Sequence, residues 1–164
     1  MGLFSKKKKV EEPATDDTTV DVTVGSTTLP TTVDQDGTWT VTFTGLSDGV
    51  YAVSATQVDA VGHSSTTATR SITVDTLDPT LSITAPSSPT SATSASVAFT
   101  ASGTGTTVTT TCDLDGYGFV TCTSPKAYLG LASGAHEFTV TATDAAGNSV
   151  TDSVTWTVDA SAPT

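Results

Sequence analysis

Two cysteines ten residues apart, Cys112 and Cys122, carry the clearest chemistry in this 164-residue chain. A pair at that spacing can form a disulfide, bind a metal or act in redox exchange. A structural zinc takes about four ligands, usually as two pairs. The chain has no second Cys pair, and neither histidine, His63 nor His136, lies nearby in the sequence. A disulfide therefore fits better, and it implies an oxidising compartment. With Gly116-Tyr117-Gly118 as a three-residue turn, Asp115 opposes Phe119, Leu114 opposes Val120 and Cys112 opposes Cys122. Directly opposed residues of an antiparallel pair lie close enough to be bridged. The expected product is one pinned hairpin, with a redox or metal role as the alternative.

Carboxylates form the second set. Asp59 and Asp144 open similar turn segments, and Asp75, Asp78 and Asp159 stand where one stretch of strands gives way to the next. Calcium takes about six to eight oxygens, so these five are calcium candidates that would stiffen such junctions. The other reading is turn chemistry, in which Asp accepts a backbone N–H at the start of a tight turn. No Asp-x-Asp-x-Asp-Gly loop is present, and no cofactor other than this calcium is expected.

Nothing in the sequence assembles a catalytic centre. His63 and His136 occupy non-equivalent places without an identifiable triad partner, and neither Gly-x-Ser-x-Gly nor a phosphate-cradling glycine loop occurs. No catalytic residue is assigned and no enzyme is expected. Trp39, Trp156 and Tyr51 each continue an apolar face, which suits a core better than a sugar platform. Tyr117 at the hairpin tip is a contact candidate.

Charge excludes further classes. The net charge is −11, and Lys6 to Lys9 hold four of the six cations. Glu11, Glu12, Asp16 and Asp17 cancel that run, so everything beyond residue 17 sets thirteen acids against Arg70 and Lys126. Such a surface repels nucleic acid and resists self-association. No apolar run is long enough for membrane insertion. The N-terminus is basic but has no apolar stretch behind it. The sole Asn, Asn148, has Val150 at the third position, so no N-glycosylation sequon exists.

These residues must be positioned by strands. Thr and Val dominate, and both favour extended backbone. Apolar residues alternate at Val20, Val22 and Val24; at Trp39, Val41 and Phe43; at Tyr51, Val53 and Ala55; and at Ala68, Ile72 and Val74, the last set across an expected bulge. A second series runs through Leu81 and Ile83; Val97, Phe99 and Ala101; Val108 to Leu114; Ala127 to Leu131; Phe138, Val140 and Ala142; and Val154, Trp156 and Val158. An internal repeat divides the series: Gly45-Leu46 matches Gly130-Leu131, and Asp59-Ala60-Val61-Gly62-His63-Ser64 matches Asp144-Ala145-Ala146-Gly147-Asn148-Ser149, both at an offset of 85.

The expected organisation is a disordered charged tail over 1–17, a module over 18–75, a linker over 76–79, a second module over 80–160, and the start of a further linker or repeat over 161–164. Residues 80 to about 105 have no match in the first module, which is expected to lack one or two leading strands. The fold class is all-β: tandem sandwiches of about seven strands each with Greek-key connections. Both ends read as cuts from a longer array.

The ordered set Gly-Leu-x-x-Gly, Asp-Ala-x-Gly-[Asn or His]-Ser, Thr-Val-Asp and a Pro-Thr restart resembles bacterial immunoglobulin-like repeats over about residues 18–164. The stretch from Cys112 to Pro125 looks like a variant of these repeats with a local disulfide. The resemblance implies physical spacing, display and adhesion on a surface or secreted protein. The partners it implies are neighbouring repeats and a cell-surface protein or glycan. It also allows an accessory module of a secreted hydrolase or a decoration of a phage particle. Some repeats of this kind bind calcium at their junctions.

Overall fold

Alternating β-branched and small polar residues draw the backbone into strands, and no helix occurs among the described residues. The computed structural model describes residues 2–6, 18–103 and 107–161. The chain divides into two compact units, Met1–Asp75 and Thr76–Thr164.

The first unit contains β1 (Gly2–Lys6), β2 (Thr19–Val24), β3 (Thr27–Thr32), β4 (Trp39–Phe43), β5 (Gly49–Val58) and β6 (Ala68–Val74). One sheet runs β3-β2-β5-β6 and the other pairs β1 with β4, all antiparallel. Val20, Val22 and Val24 of β2 are buried while the residues between them are half exposed, the signature of a strand with one face on a core. Val41, Phe43 and Val53 close that core, with Trp39, Tyr51 and Ile72 packed at its margin.

Two expectations for this unit are corrected. Gly2–Lys6 belong to the expected disordered tail, yet they form β1, with Gly2 opposite Phe43 and Lys6 opposite Trp39. The backbone of β4 otherwise presents a row of unpaired N–H and C=O groups, and pairing with it requires no particular side chain. Residues 7–17 of the expected tail, with Lys7, Lys8 and Lys9, lie outside the described residues. The bulge expected before Ile72 is absent, because β5 and β6 pair without interruption from Gly49–Val74 to Ala55–Ala68. Ala68, Ile72 and Val74 already share parity, so the pleat needs no extra residue.

The second unit contains β7 (Thr80–Thr84), β8 (Ser94–Ser102), β9 (Thr109–Leu114), β10 (Val120–Thr121), β11 (Lys126–Leu129), β12 (Gly134–Thr143) and β13 (Ser149–Val158). Its sheets run β10-β9-β12-β13 and β11-β8-β7. The chain changes sheet between β8 and β9, between β10 and β11 and between β11 and β12, which is Greek-key sandwich connectivity. Phe138, Val140 and Trp156 from one sheet meet Val97 and Phe99 from the other. Phe138 is enclosed by the Phe99 ring at 6.2 Å and the Tyr128 ring, edge-on, at 5.8 Å.

The two units correspond in every strand but one. β5 and β12 begin at equivalent glycines and are both ten residues long. The antiparallel pair β1–β4 stands where β8–β11 stands in the second unit. Among the described residues the first unit has no counterpart of β7. Its second sheet is two-stranded where that of the other unit is three-stranded.

Candidate functional site

Where β9 turns into β10, the second unit gathers a disulfide, two carboxylates, a histidine and an exposed aromatic ring. The turn is Leu114-Asp115-Gly116-Tyr117, closed by the Tyr117 N–H donating to the Leu114 carbonyl at 3.2 Å. Both central residues have positive φ, 57° at Asp115 and 78° at Gly116, as a type I′ turn requires. Glycine adopts that geometry freely, and Asp tolerates it better than most residues.

Asp113 then folds two more residues into the tip. Its carboxylate accepts the Gly116 N–H at 2.8 Å and the Gly118 N–H at 2.5 Å. β10 therefore pairs Val120 with Cys112 and Thr121 with Thr111. This corrects the register expected from sequence, in which Cys112 faced Cys122. The three-residue turn assumed there left no role for the Asp113 side chain. Cys122 sits beside Thr110, whose carbonyl accepts the Cys122 N–H at 3.1 Å and whose hydroxyl donates to the Cys122 carbonyl at 2.7 Å. The Cys112–Cys122 disulfide runs diagonally across the ladder, with Cα atoms 5.8 Å apart and both residues buried in the core. Beyond it Tyr117 is 91 % exposed, beside the half-exposed Phe119 and Val120.

His136, whose partner no sequence pattern identifies, is buried against this turn. Its Nδ1 lies 2.8 Å from Oδ2 of Asp115 and its Nε2 lies 2.9 Å from the Ala132 carbonyl. Its ring stacks, tilted, on Trp156 at 5.6 Å. The bond to Ala132, reinforced by that to Asp115, pushes the imidazole above its usual range. Burial pushes the Asp115 carboxyl up, but the bonds from His136 and from the Glu137 N–H outweigh it and hold it below the usual range. Burial and the charges of Asp113 and Asp115 raise the Tyr128 phenol. With both ring nitrogens facing acceptors, His136 has neither nitrogen directed at a nucleophile from which it could take a proton. The one sequence sign of this arrangement was that His136 falls in the repeat position of Tyr51.

The calcium candidates are not brought together. Asp144 Oδ1 accepts the N–H groups of Ala146, Gly147 and Asn148 at 2.8–2.9 Å, and its Oδ2 accepts Asn148 Nδ2 at 3.0 Å. These bonds, that of the Asn148 side chain foremost, hold its carboxyl below the usual range. Asp59 Oδ1 accepts the N–H groups of Val61 and His63, and Oδ2 meets His63 Nδ1 at 3.0 Å. The His63 N–H is the main cause of its lowered pKa. Asp159 accepts from the N–H and hydroxyl of Ser161, and the hydroxyl in particular lowers its pKa. Asp75 is half-buried and Asp78 exposed. Among the described residues no three or more His, Cys, Asp or Glu converge as metal ligands would.

The aromatic candidates sit in or on the cores: Trp156 is buried, and Trp39 and Tyr51 pack against the first core. Of the cations beyond residue 17, Arg70 lies in β6 and Lys126 in β11, its Nζ 5.9 Å from the centre of the Tyr128 ring.

A family model described as the bacterial Ig-like domain matches residues 8–76 and again residues 78–160. Among solved structures, the fibronectin(III)-like modules of Clostridium thermocellum CbhA align with a TM-score of 0.60 at 23 % identity, covering 95 % of this chain and 84 % of that one. A 1.5-MDa bacterial ice-binding adhesin aligns with a TM-score of 0.44 at 18 % identity, covering 86 % of this chain and 52 % of that one. A tetra-tandem repeat from the extending region of a large adhesion protein gives 0.40 at 23 % identity, covering 91 % and 43 %. This chain thus spans about half the length of each of those two adhesin structures. At such identities the likeness is one of fold. No curated protein sequence matches the chain. Two sandwich units, an 85-residue repeat and two consecutive matches to one family lead to a single assignment: the chain belongs to the bacterial Ig-like domain family, as two tandem copies.

Proposed function

We propose that this chain is a non-enzymatic spacer or adhesive section of a surface or secreted protein. The observation that carries the reading is the tandem itself, two bacterial Ig-like domains in direct succession, each with its own filled core. Such modules hold a fixed distance because their interiors are close-packed and their strands are tied to one another along their length. The residues that could do chemistry are occupied: His136 has an acceptor on each ring nitrogen, and Asp59 and Asp144 are consumed by their turns. The Cys112–Cys122 bridge favours an oxidising, extracellular setting. In this reading neighbouring Ig-like domains are the constant partners. The exposed Tyr117 tip is where a cell-surface protein or glycan would be touched.

Single-molecule stretching of the whole chain between terminal handles tests this. Two separate unfolding peaks are expected. Reduction should lengthen one of them by about 30–40 Å, the extended length of the residues the disulfide encloses. Extension without a resolvable peak would overturn the spacer reading, and turnover of a glycoside or peptide substrate would overturn the non-enzymatic one.

A further inference from the structure

We propose that His136, Asp115 and the Ala132 carbonyl form a proton-operated latch, which clamps the tip of the disulfide hairpin to β12 and releases it when the imidazolium gives up its proton.

The geometry requires two donors from one ring. A carboxylate oxygen faces Nδ1 and a carbonyl oxygen faces Nε2, and both groups only accept. The imidazolium satisfies both. The neutral ring keeps one N–H and turns a lone pair towards the other acceptor. Because His136 is 8 % exposed and stacked on Trp156, water cannot simply take the lost place.

Asp115 transmits the change to the hairpin. Its N–H donates to the Glu137 carbonyl at 2.9 Å, and its Oδ1 accepts the Glu137 N–H at 2.9 Å. The tip of the β9–β10 turn is thus tied to β12 through this one residue and His136. The disulfide at the base of the hairpin confines any loosening to the tip, which carries Tyr117 and Phe119.

The Asp115 carboxylate, from the turn, favours the cation. Of the other acids on the adjoining strands, Asp113 lies on β9 and Glu137 on β12. Tyr128 of β11 lies within electrostatic reach of Asp113 and Asp115, with Lys126 against its ring. β13 contributes Trp156. The raised pKa of His136 agrees with this. A histidine raised in the folded state stabilises fully below its unfolded value of about 6.5. That contribution is lost as pH climbs through the folded value. Asp115, lowered, sets the acid limit of the same window.

The first unit supplies the comparison. Tyr51 holds the same repeat position, and its hydroxyl donates to the Ser47 carbonyl at 2.9 Å, four residues back, as His136 does to Ala132. This is the tyrosine-corner bond of sandwich folds. A tyrosine makes that bond without titrating near neutrality, so the histidine adds a proton switch to an otherwise structural joint.

Nuclear magnetic resonance of the whole chain between about pH 5 and 10 tests the latch. The His136 ring nitrogens should titrate above histidine in the same chain unfolded in urea. Across that midpoint, protection of the Glu137, Gly116 and Gly118 N–H groups against solvent exchange should fall about five- to tenfold, the effect of losing one hydrogen bond. Protection of Val140 should not step. His136→Tyr should keep the corner bond and abolish the step, and Asp115→Asn should lower the midpoint. A midpoint at or below the unfolded value overturns the latch. So does unchanged tip protection across the midpoint, or a step that survives His136→Tyr. If that variant does not fold, an unshifted midpoint in Asp115→Asn overturns it equally.

Discussion

Asp59 and Asp144 open the same turn 85 residues apart, and in each the Oδ1 atom collects the N–H groups two and four residues ahead. The side chain at the fourth position, His63 or Asn148, then reaches the remaining oxygen at 3.0 Å in both cases. This explains why His and Asn interchange in the repeat motif: each can place a nitrogen on Oδ2.

Both carboxyls are held below their usual range, so their contribution is present above the unfolded value of about 3.9 and is lost as pH falls through the lower folded value. Thermal melts taken from pH 6 downwards should show both units losing stability below about pH 4. Asp144→Asn should lessen that acid dependence in the second unit, where Asp115 and Asp159 still contribute, and leave the first unchanged.

Calcium should not add to stability. The carboxylates in the turns already receive N–H donors, and a calcium ion would need about six to eight oxygens in their place. Melting curves with millimolar calcium and with chelator should coincide; a rise in melting temperature with calcium would place a site at the junction acids.

Removing the disulfide should weaken the second unit alone. Closing a loop of ten-residue separation stabilises by about 3 kcal/mol in the chain-entropy model. Cys112→Ser with Cys122→Ser should lower one calorimetric transition and leave the other in place.

Truncation at the centre of the sandwich should cost more. Phe138 is fully buried between Phe99 and Tyr128, so Phe138→Ala should destabilise by about 3–5 kcal/mol in denaturant unfolding. Trp156→Phe should be milder. Among the described residues the buried Trp156 Nε1 has no hydrogen-bond partner, so the change removes an unsatisfied donor along with the lost volume.

The first unit should open more readily than the second. Among the described residues its smaller sheet has two strands where that of the second unit has three, and cooperative units with less buried surface open at lower cost. Hydrogen exchange should be faster across β2 and β5 than across β9 and β12; equal protection would contradict this.

Faces were legible in the sequence wherever alternation was strict. Val20, Val22 and Val24, or Phe138, Val140 and Ala142, read directly as inward rows because the period of a strand is two, and all six are buried. The hairpin register was not legible, because it depends on the Asp113 side chain capturing two backbone N–H groups. The His136–Asp115 contact joins a strand residue to a turn residue 21 positions away, and no local pattern announces it. The pairing of Gly2–Lys6 with β4 is a backbone event, invisible to a reading built on side-chain composition.

The scarcity of cations beyond residue 17 bears on resistance to proteolysis. Proteases of trypsin type cut after Lys or Arg, and there the chain offers them only Arg70 and Lys126. Each lies within a hydrogen-bonded strand, β6 or β11, and not in a loop that could enter a protease cleft. Digestion of the folded modules by such enzymes must therefore await their unfolding.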